Sequence, residues 1–254
     1  MNAAGQRGWT AALLALSALL AALVVAANHY LVPVSALTNP EELRADLMGY
    51  RGFDVPATWV DEYLWRQEAP HKYRILGKLP LWAVYALQRP GPTAAERDVA
   101  FFRSFLACSF GTLLLALAML AAFARRMVLD TFGALPPGRV ATLQAAAMAM
   151  FALCAPVLLF AKFAIHGGPN DFLGYFLMLA GLHLAWRGRL KACCAVSALA
   201  VFCRETTLLV PFLLLFYPGV QWRRRALLAL LPVLRWRRSA CCGRDPTIPP
   251  AGRA

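Results

Sequence analysis

Charged side chains are scarce in this sequence, and those that could do chemistry fall into two groups. Asp54, Asp61, Glu62, His71, Lys72, Arg74 and Lys78 crowd one polar stretch, while His166, Asp171 and the adjacent pair Arg204-Glu205 stand much further along the chain. A carboxylate beside fixed cations suits two tasks. It can take a proton from a hydroxyl while the cations hold a departing phosphate. It can also simply neutralise those cations as a structural network. The pair in "AVFCRETTLLVPF" (200–212) raises the question most sharply, because ionised side chains inside an apolar run are costly and usually functional.

The elements that must carry these residues are set by composition. The 254 residues are 60% hydrophobic and 15% charged, against about 25% charged in an average soluble domain. The apolar residues cluster into runs instead of alternating with polar ones. The expected fold is therefore an all-α polytopic integral membrane protein, with about five to seven transmembrane or half-membrane helices and a long first extracytoplasmic loop. The net charge of +13 is explained by the same topology. Basic residues gather at the ends of apolar runs, at Arg125-Arg126, Arg187 to Lys191 and Arg223 to Arg225, as cytoplasmic loops require. No zinc-finger spacing and no basic helix interleaved with aromatics is present, so nucleic acid is not expected as a partner. The expected partners are membrane lipids.

Seven cysteines form no disulfide framework. Five lie in apolar runs, where a thiol behaves as a small hydrophobe, and the adjacent pair Cys241-Cys242 lacks the spacing of a zinc site. No metal site and no cofactor is expected. Gly-rich phosphate loops, HExxH and GxSxG are likewise missing from the sequence.

Along the chain, Trp9 to Ala27 reads as an uncleaved first span with the N-terminus in the cytoplasm. The polar stretch 28–80 follows as the outer loop, holding Glu41, Glu42, Asp46, Asp54, Asp61, Glu62 and Glu68, seven of the thirteen acidic residues. "NPEELRADLMGY" (39–50) predicts a short helix, with Asn39 capping and Pro40 at its first position. "LPLWAVYAL" (79–87) is too short to span and is expected to lie in the interface. A second span is expected over 105–124, then a turn-rich loop "MVLDTFGALPPGR" (127–139). A third span follows over 140–165, with Pro156 as a kink and Lys162 snorkelling near its outer end. "HGGPND" (166–171) reads as a tight outer turn, and 172–186 as a fourth run. His183 within it reads as a packed or hydrogen-bonded histidine.

The charge rule then decides how 192–217 is read. One span there would leave Arg223 to Arg225 outside. Two half-helices, 192–203 and 206–217, joined at Arg204-Glu205 keep those arginines inside and put the pair at a hairpin tip near the outer face. Adjacent helical residues do not face one another, so the two bond to different partners. The transmembrane domain is thus expected over 1–234. The remaining 235–254, rich in Arg, Pro and Gly, reads either as a disordered cytoplasmic tail or as the product of a truncation or frameshift.

Three short pieces, "GFD" (52–54) with "VDEYLW" (60–65), "HKYRILGKLP" (71–80) and "CRETTLLVP" (203–211), resemble those of GT-C-type polytopic membrane glycosyltransferases. The likeness is to the bacterial, polyprenyl-phosphate-sugar-dependent members, runs from about residue 9 to 225, and is that of a C-terminally truncated chain. It implies the bacterial inner (plasma) membrane as location and transfer of a sugar, with inversion, from a polyprenyl-phosphate donor to an acceptor hydroxyl. Asp54 or Asp61 would be the catalytic base. Arg74, Lys78 and Arg204 would hold the donor phosphate, with Glu62, Asp171 and Glu205 as further candidates. Two other readings stand beside it. One is a transporter or flippase-type subunit using Arg204-Glu205 as an intramembrane site, favoured by the broken helix but lacking an internal repeat. The other is an inactive, truncated membrane fragment.

Overall fold

The computed structural model describes residues 3–27, 76–89, 94–154, 169–203 and 210. Six helices and no strand occur among the described residues: α1 (Ala3–Ala26), α2 (Lys78–Leu87), α3 (Ala94–Phe132), α4 (Pro137–Leu153), α5 (Pro169–Trp186) and α6 (Leu190–Ala200). Two stretches within them are long and apolar enough to cross a membrane, Gly8–Ala26 in α1 and Arg103–Phe132 in α3.

The helices form because the sequence offers long runs of Ala and Leu, strong helix formers, with few breakers. Their hydroxyls do not compete with the backbone. Ser17 donates to the Leu13 carbonyl at 2.8 Å, Ser104 to Ala100 at 2.7 Å and Thr112 to Cys108 at 2.7 Å. Each of these three hydroxyls finds an acceptor one turn back in its own helix.

α3 is the spine. Its 39 residues make a rod of about 58 Å, well beyond a hydrocarbon core of roughly 30 Å. The central core is built around its middle, where Leu113, Leu117 and Ala121 pack with Leu20, Ala21 and Val24 of α1, Met148 and Ala152 of α4, and Phe172 of α5. At its N-terminal end α3 carries α2, whose Leu81 and Tyr85 are buried with Ala100 and Cys108. At its C-terminal end Trp186 of α5 donates its indole N–H to Asp130 at 2.8 Å and packs edge-on against Phe123. α6 lies along α5, with Cys193 and Cys194 buried against Val210.

Several predicted boundaries are corrected. The second helix of the core extends beyond 105–124 at both ends, and "MVLDTF" belongs to α3 instead of a loop. That segment has no Gly or Pro before Gly133, and Asp130 pairs with Arg126 one turn back at 2.8 Å. The turn falls at Gly133, whose φ of +70° suits glycine. α4 ends at Leu153, with Cys154 extended (φ −67°, ψ 143°), so it stops ahead of Pro156 where a continuous kinked helix was expected. A proline at that position has no N–H to give Ala152 and disfavours helix before it. Pro169, Asn170 and Asp171 form the first turn of α5, not a free turn, since proline is pre-organised for an N-terminal helical position. α6 begins two residues before the expected half-helix and ends at Ala200, closed by Phe202 donating to Leu199 and Cys203 to Ala200. The Asn39 helix, Pro156, Lys162, His166, the second half-helix apart from Val210, and the segment 235–254 lie outside the described residues.

Candidate functional site

Chain direction sorts the helix ends into two sets. One set gathers the start of α1, the end of α3, the start of α4, the end of α5 and the start of α6, and with them Arg125, Arg126, Arg139, Arg187, Arg189 and Lys191. The other gathers the end of α1, α2, the start of α3, the end of α4, the start of α5 and the end of α6.

The sequence-predicted residues that the structure describes lie at this second end. Its centre is a three-way contact. The N–H of Leu76, two residues before α2, donates to the carbonyl of Phe202 at 3.2 Å. Gly77 is buried against Asn170, so closely that a methyl group on Gly77 would overlap the Asn170 side-chain oxygen and Cα. Asn170 and Asp171, in the first turn of α5, are 5% and 4% exposed. The positive end of a helix dipole and its free N–H groups favour a carboxylate in that turn. Cys203 is fully buried as a free thiol, close enough to Asp171 for the carboxylate charge to act on it.

Thus the close of "HKYRILGKLP" meets the start of "CRETTLLVP", with Asp171 buried between helices at the same end. Lys78 is the first residue of α2 and Arg204 directly follows Cys203. Asp54, Asp61, Glu62, Arg74, Arg204 and Glu205 themselves lie outside the described residues, as do His71 and Lys72. Among the described residues no group of three or more His, Cys, Asp or Glu side chains could hold a metal ion. The Asn170 side-chain oxygen is buried with no hydrogen-bond partner among the described residues. Sequence reading passed over Asn170 and Gly77. The only signal was their place, one beside Pro169 at a helix start and the other in the segment that closes the polar loop.

A cavity of about 790 Å³ opens at the opposite, basic end, between α1, α3, α4 and α5. Arg125, Arg126 and Arg187 line it together with His183 and Trp9. These arginines read in the sequence as topological anchors alone. Trp9 at the head of one apolar run, with basic residues at the ends of two others, is the pattern that could have grouped them.

No family model, no curated protein and no solved structure matches the chain.

Proposed function

We propose that this chain is a multi-pass membrane glycosyltransferase-like protein of the bacterial inner membrane, transferring a sugar from a polyprenyl-phosphate donor at the end of the bundle where α2, α5 and α6 meet. The observation that carries this reading is the bond from the Leu76 N–H to the Phe202 carbonyl, 3.2 Å long. It supports the reading because it draws the end of the polar 28–80 stretch onto the segment that leads into Arg204. Donor-holding cations and an outer-loop carboxylate need that convergence.

In this proposal the acceptor hydroxyl gives its proton to Asp54 or Asp61 as its oxygen bonds the sugar's anomeric carbon. The bond from that carbon to the lipid phosphate breaks, its electron pair leaves with the phosphate, and the configuration inverts. Arg74, Lys78 and Arg204 stabilise the departing charge. Glu62, Asp171 and Glu205 are the neighbouring carboxylates, of which Asp171 is the one buried at this end. The basic end faces the cytoplasm, with the N-terminus on that side, by the charge rule.

Transfer from a polyprenyl-phosphate sugar is to be measured for the full chain, for Asp54→Asn and for Asp61→Asn. Asparagine keeps the size but cannot take the proton. A loss of about a hundredfold or more at one position, the scale of a missing general base, supports the proposal. Near-wild-type transfer in both variants removes these two residues. No transfer by the wild type leaves the transporter or inactive-fragment reading.

A further inference from the structure

We infer that the cavity at the basic end is a binding site for one anionic glycerophospholipid, its phosphate held by Arg125 and Arg187 and an acyl chain lying along α1 and α4. The inference rests on the membrane placement proposed above but not on glycosyl transfer.

Three observations carry it. The first is volume and lining. At about 790 Å³ the cavity falls within the roughly 300–1,000 Å³ typical of ligand sites. Its walls include Leu13 and Leu14 of α1 and Val140 and Ala141 of α4, apolar surface suited to a hydrocarbon chain.

The second is uncompensated charge. Of the three arginines, Arg126 is held by Asp130 at 2.8 Å, and the same carboxylate oxygen accepts the Trp186 indole N–H at 2.8 Å. Neither Arg125 nor Arg187 has an acidic partner among the described residues. Two guanidinium groups facing one cavity repel each other unless an anion lies between them. A phosphate diester offers the acceptor oxygens that guanidinium forks bind best.

The third is unfilled bonding capacity at the same wall. His183 lines the cavity with its ring edge-on to Phe123. α4 also begins at the cavity, with no side-chain cap over its first turn. Its unpaired N–H groups and positive dipole end add to the attraction for an anion. Trp9, at the head of α1, completes the lining with a side chain suited to the headgroup region.

A soluble phosphate would use the cations and waste the apolar wall. A zwitterionic lipid would use the wall, but its own ammonium would oppose the arginines. Basic pockets between membrane helices select anionic headgroups on these grounds.

The test uses the full chain in a neutral detergent, with lipid occupancy counted by native mass spectrometry. The probes are palmitoyl-oleoyl phosphatidylglycerol, phosphatidylcholine with the same chains, and glycerol 3-phosphate. One phosphatidylglycerol should bind about tenfold or more tightly than phosphatidylcholine, given the roughly 1 kcal/mol that each basic residue contributes near an anionic headgroup. Glycerol 3-phosphate should not occupy the site over the same range. The double variant Arg125→Gln/Arg187→Gln should lose that preference. Arg139→Gln, exposed at the same end but outside the cavity lining, should keep it. Because Arg125 and Arg187 are exposed, the double variant is expected to keep the wild-type melting temperature in lipid-free detergent. Equal phosphatidylglycerol binding by the double variant overturns the inference. So does an equal loss in Arg139→Gln, which would mean a diffuse charge effect, or binding of glycerol 3-phosphate as tight as that of the lipid.

Discussion

The side-chain oxygen of Asn170 occupies the space that a side chain on Gly77 would need. The two residues lie far apart in the sequence, one before α2 and one in the first turn of α5. Gly77 has an ordinary helical conformation, φ −76° and ψ −17°, so its backbone does not require glycine. The requirement is entirely one of space. This contact, with the Leu76–Phe202 bond beside it, fixes how the start of α2 docks on α5 and α6.

Gly77→Ala should therefore destabilise the protein by about 1–3 kcal/mol, the usual cost of forcing a methyl into a filled space. Asn170→Gly removes the side-chain oxygen but leaves Cα, 2.6 Å from where the added methyl would sit, so the double variant should recover part of the loss and be more stable than the sum of the two single changes predicts. Thermal unfolding of all four proteins in detergent gives the coupling. Strict additivity would show that the two residues do not meet.

Met148 and Met150 offer a test of how α4 is turned. Met148 is fully buried against α1, where it also accepts the Ser17 hydroxyl at 3.3 Å, whereas Met150 is 76% exposed. Met148→Ala should cost about 2–5 kcal/mol, and Met150→Ala close to nothing. A reversal of that order in the unfolding midpoints would put the other face of α4 in the core.

Gln144 is buried in α4 and its amide N–H donates to the Ala121 carbonyl of α3 at 2.9 Å. A hydrogen bond between two packed helices contributes about 0.5–1.5 kcal/mol net. Gln144→Leu should lower stability within that range. A larger loss would mean that Gln144 holds more than this one bond.

The cysteines report burial directly. Cys154 is exposed, while Cys193 and Cys203 are fully buried. With a maleimide and the folded chain, Cys154 should label within minutes, and Cys193 and Cys203 only after denaturation. Peptide mass spectrometry separates the sites. Rapid labelling of Cys203 in the folded protein would show that the contact among α2, α5 and α6 opens readily.

Trp186 and Asp130 make a bond of a different class. Both are well exposed, and Asp130 also pairs with Arg126, so the interaction is screened by solvent and worth at most about 1 kcal/mol. Trp186→Phe keeps a ring against Phe123 but loses the indole N–H, and should change the melting temperature by only a few degrees. A much larger fall would mean that the end of α3 depends on Trp186 for its helical state.

How much was legible in the sequence differs by element. The run from Trp9 to Ala27 predicted a helix that the structure places at Ala3–Ala26, because nineteen uncharged apolar residues leave few other ways to satisfy a backbone. The segment 79–87, expected only to lie in the interface, forms α2. The limits of α3 and α4 were not legible. "MVLDTF" looks like the start of a loop until Asp130 is seen bonded to both Arg126 and Trp186. At the site, Asp171 stood out as a lone acid near an apolar run, but Asn170 and Gly77 carried no signal of their own.

The sequence by itself determined that the chain is helical and apolar, with its basic residues at run ends, because hydropathy and helix propensity act over a few neighbouring residues. Only the tertiary structure decided which of those residues meet. Leu76 reaches Phe202, Gln144 reaches Ala121, and Arg125 and Arg187 come to line one cavity. Each of these pairings joins residues from different helices. They depend on which helix faces fit together at close-packed density, and no local window of sequence contains that information.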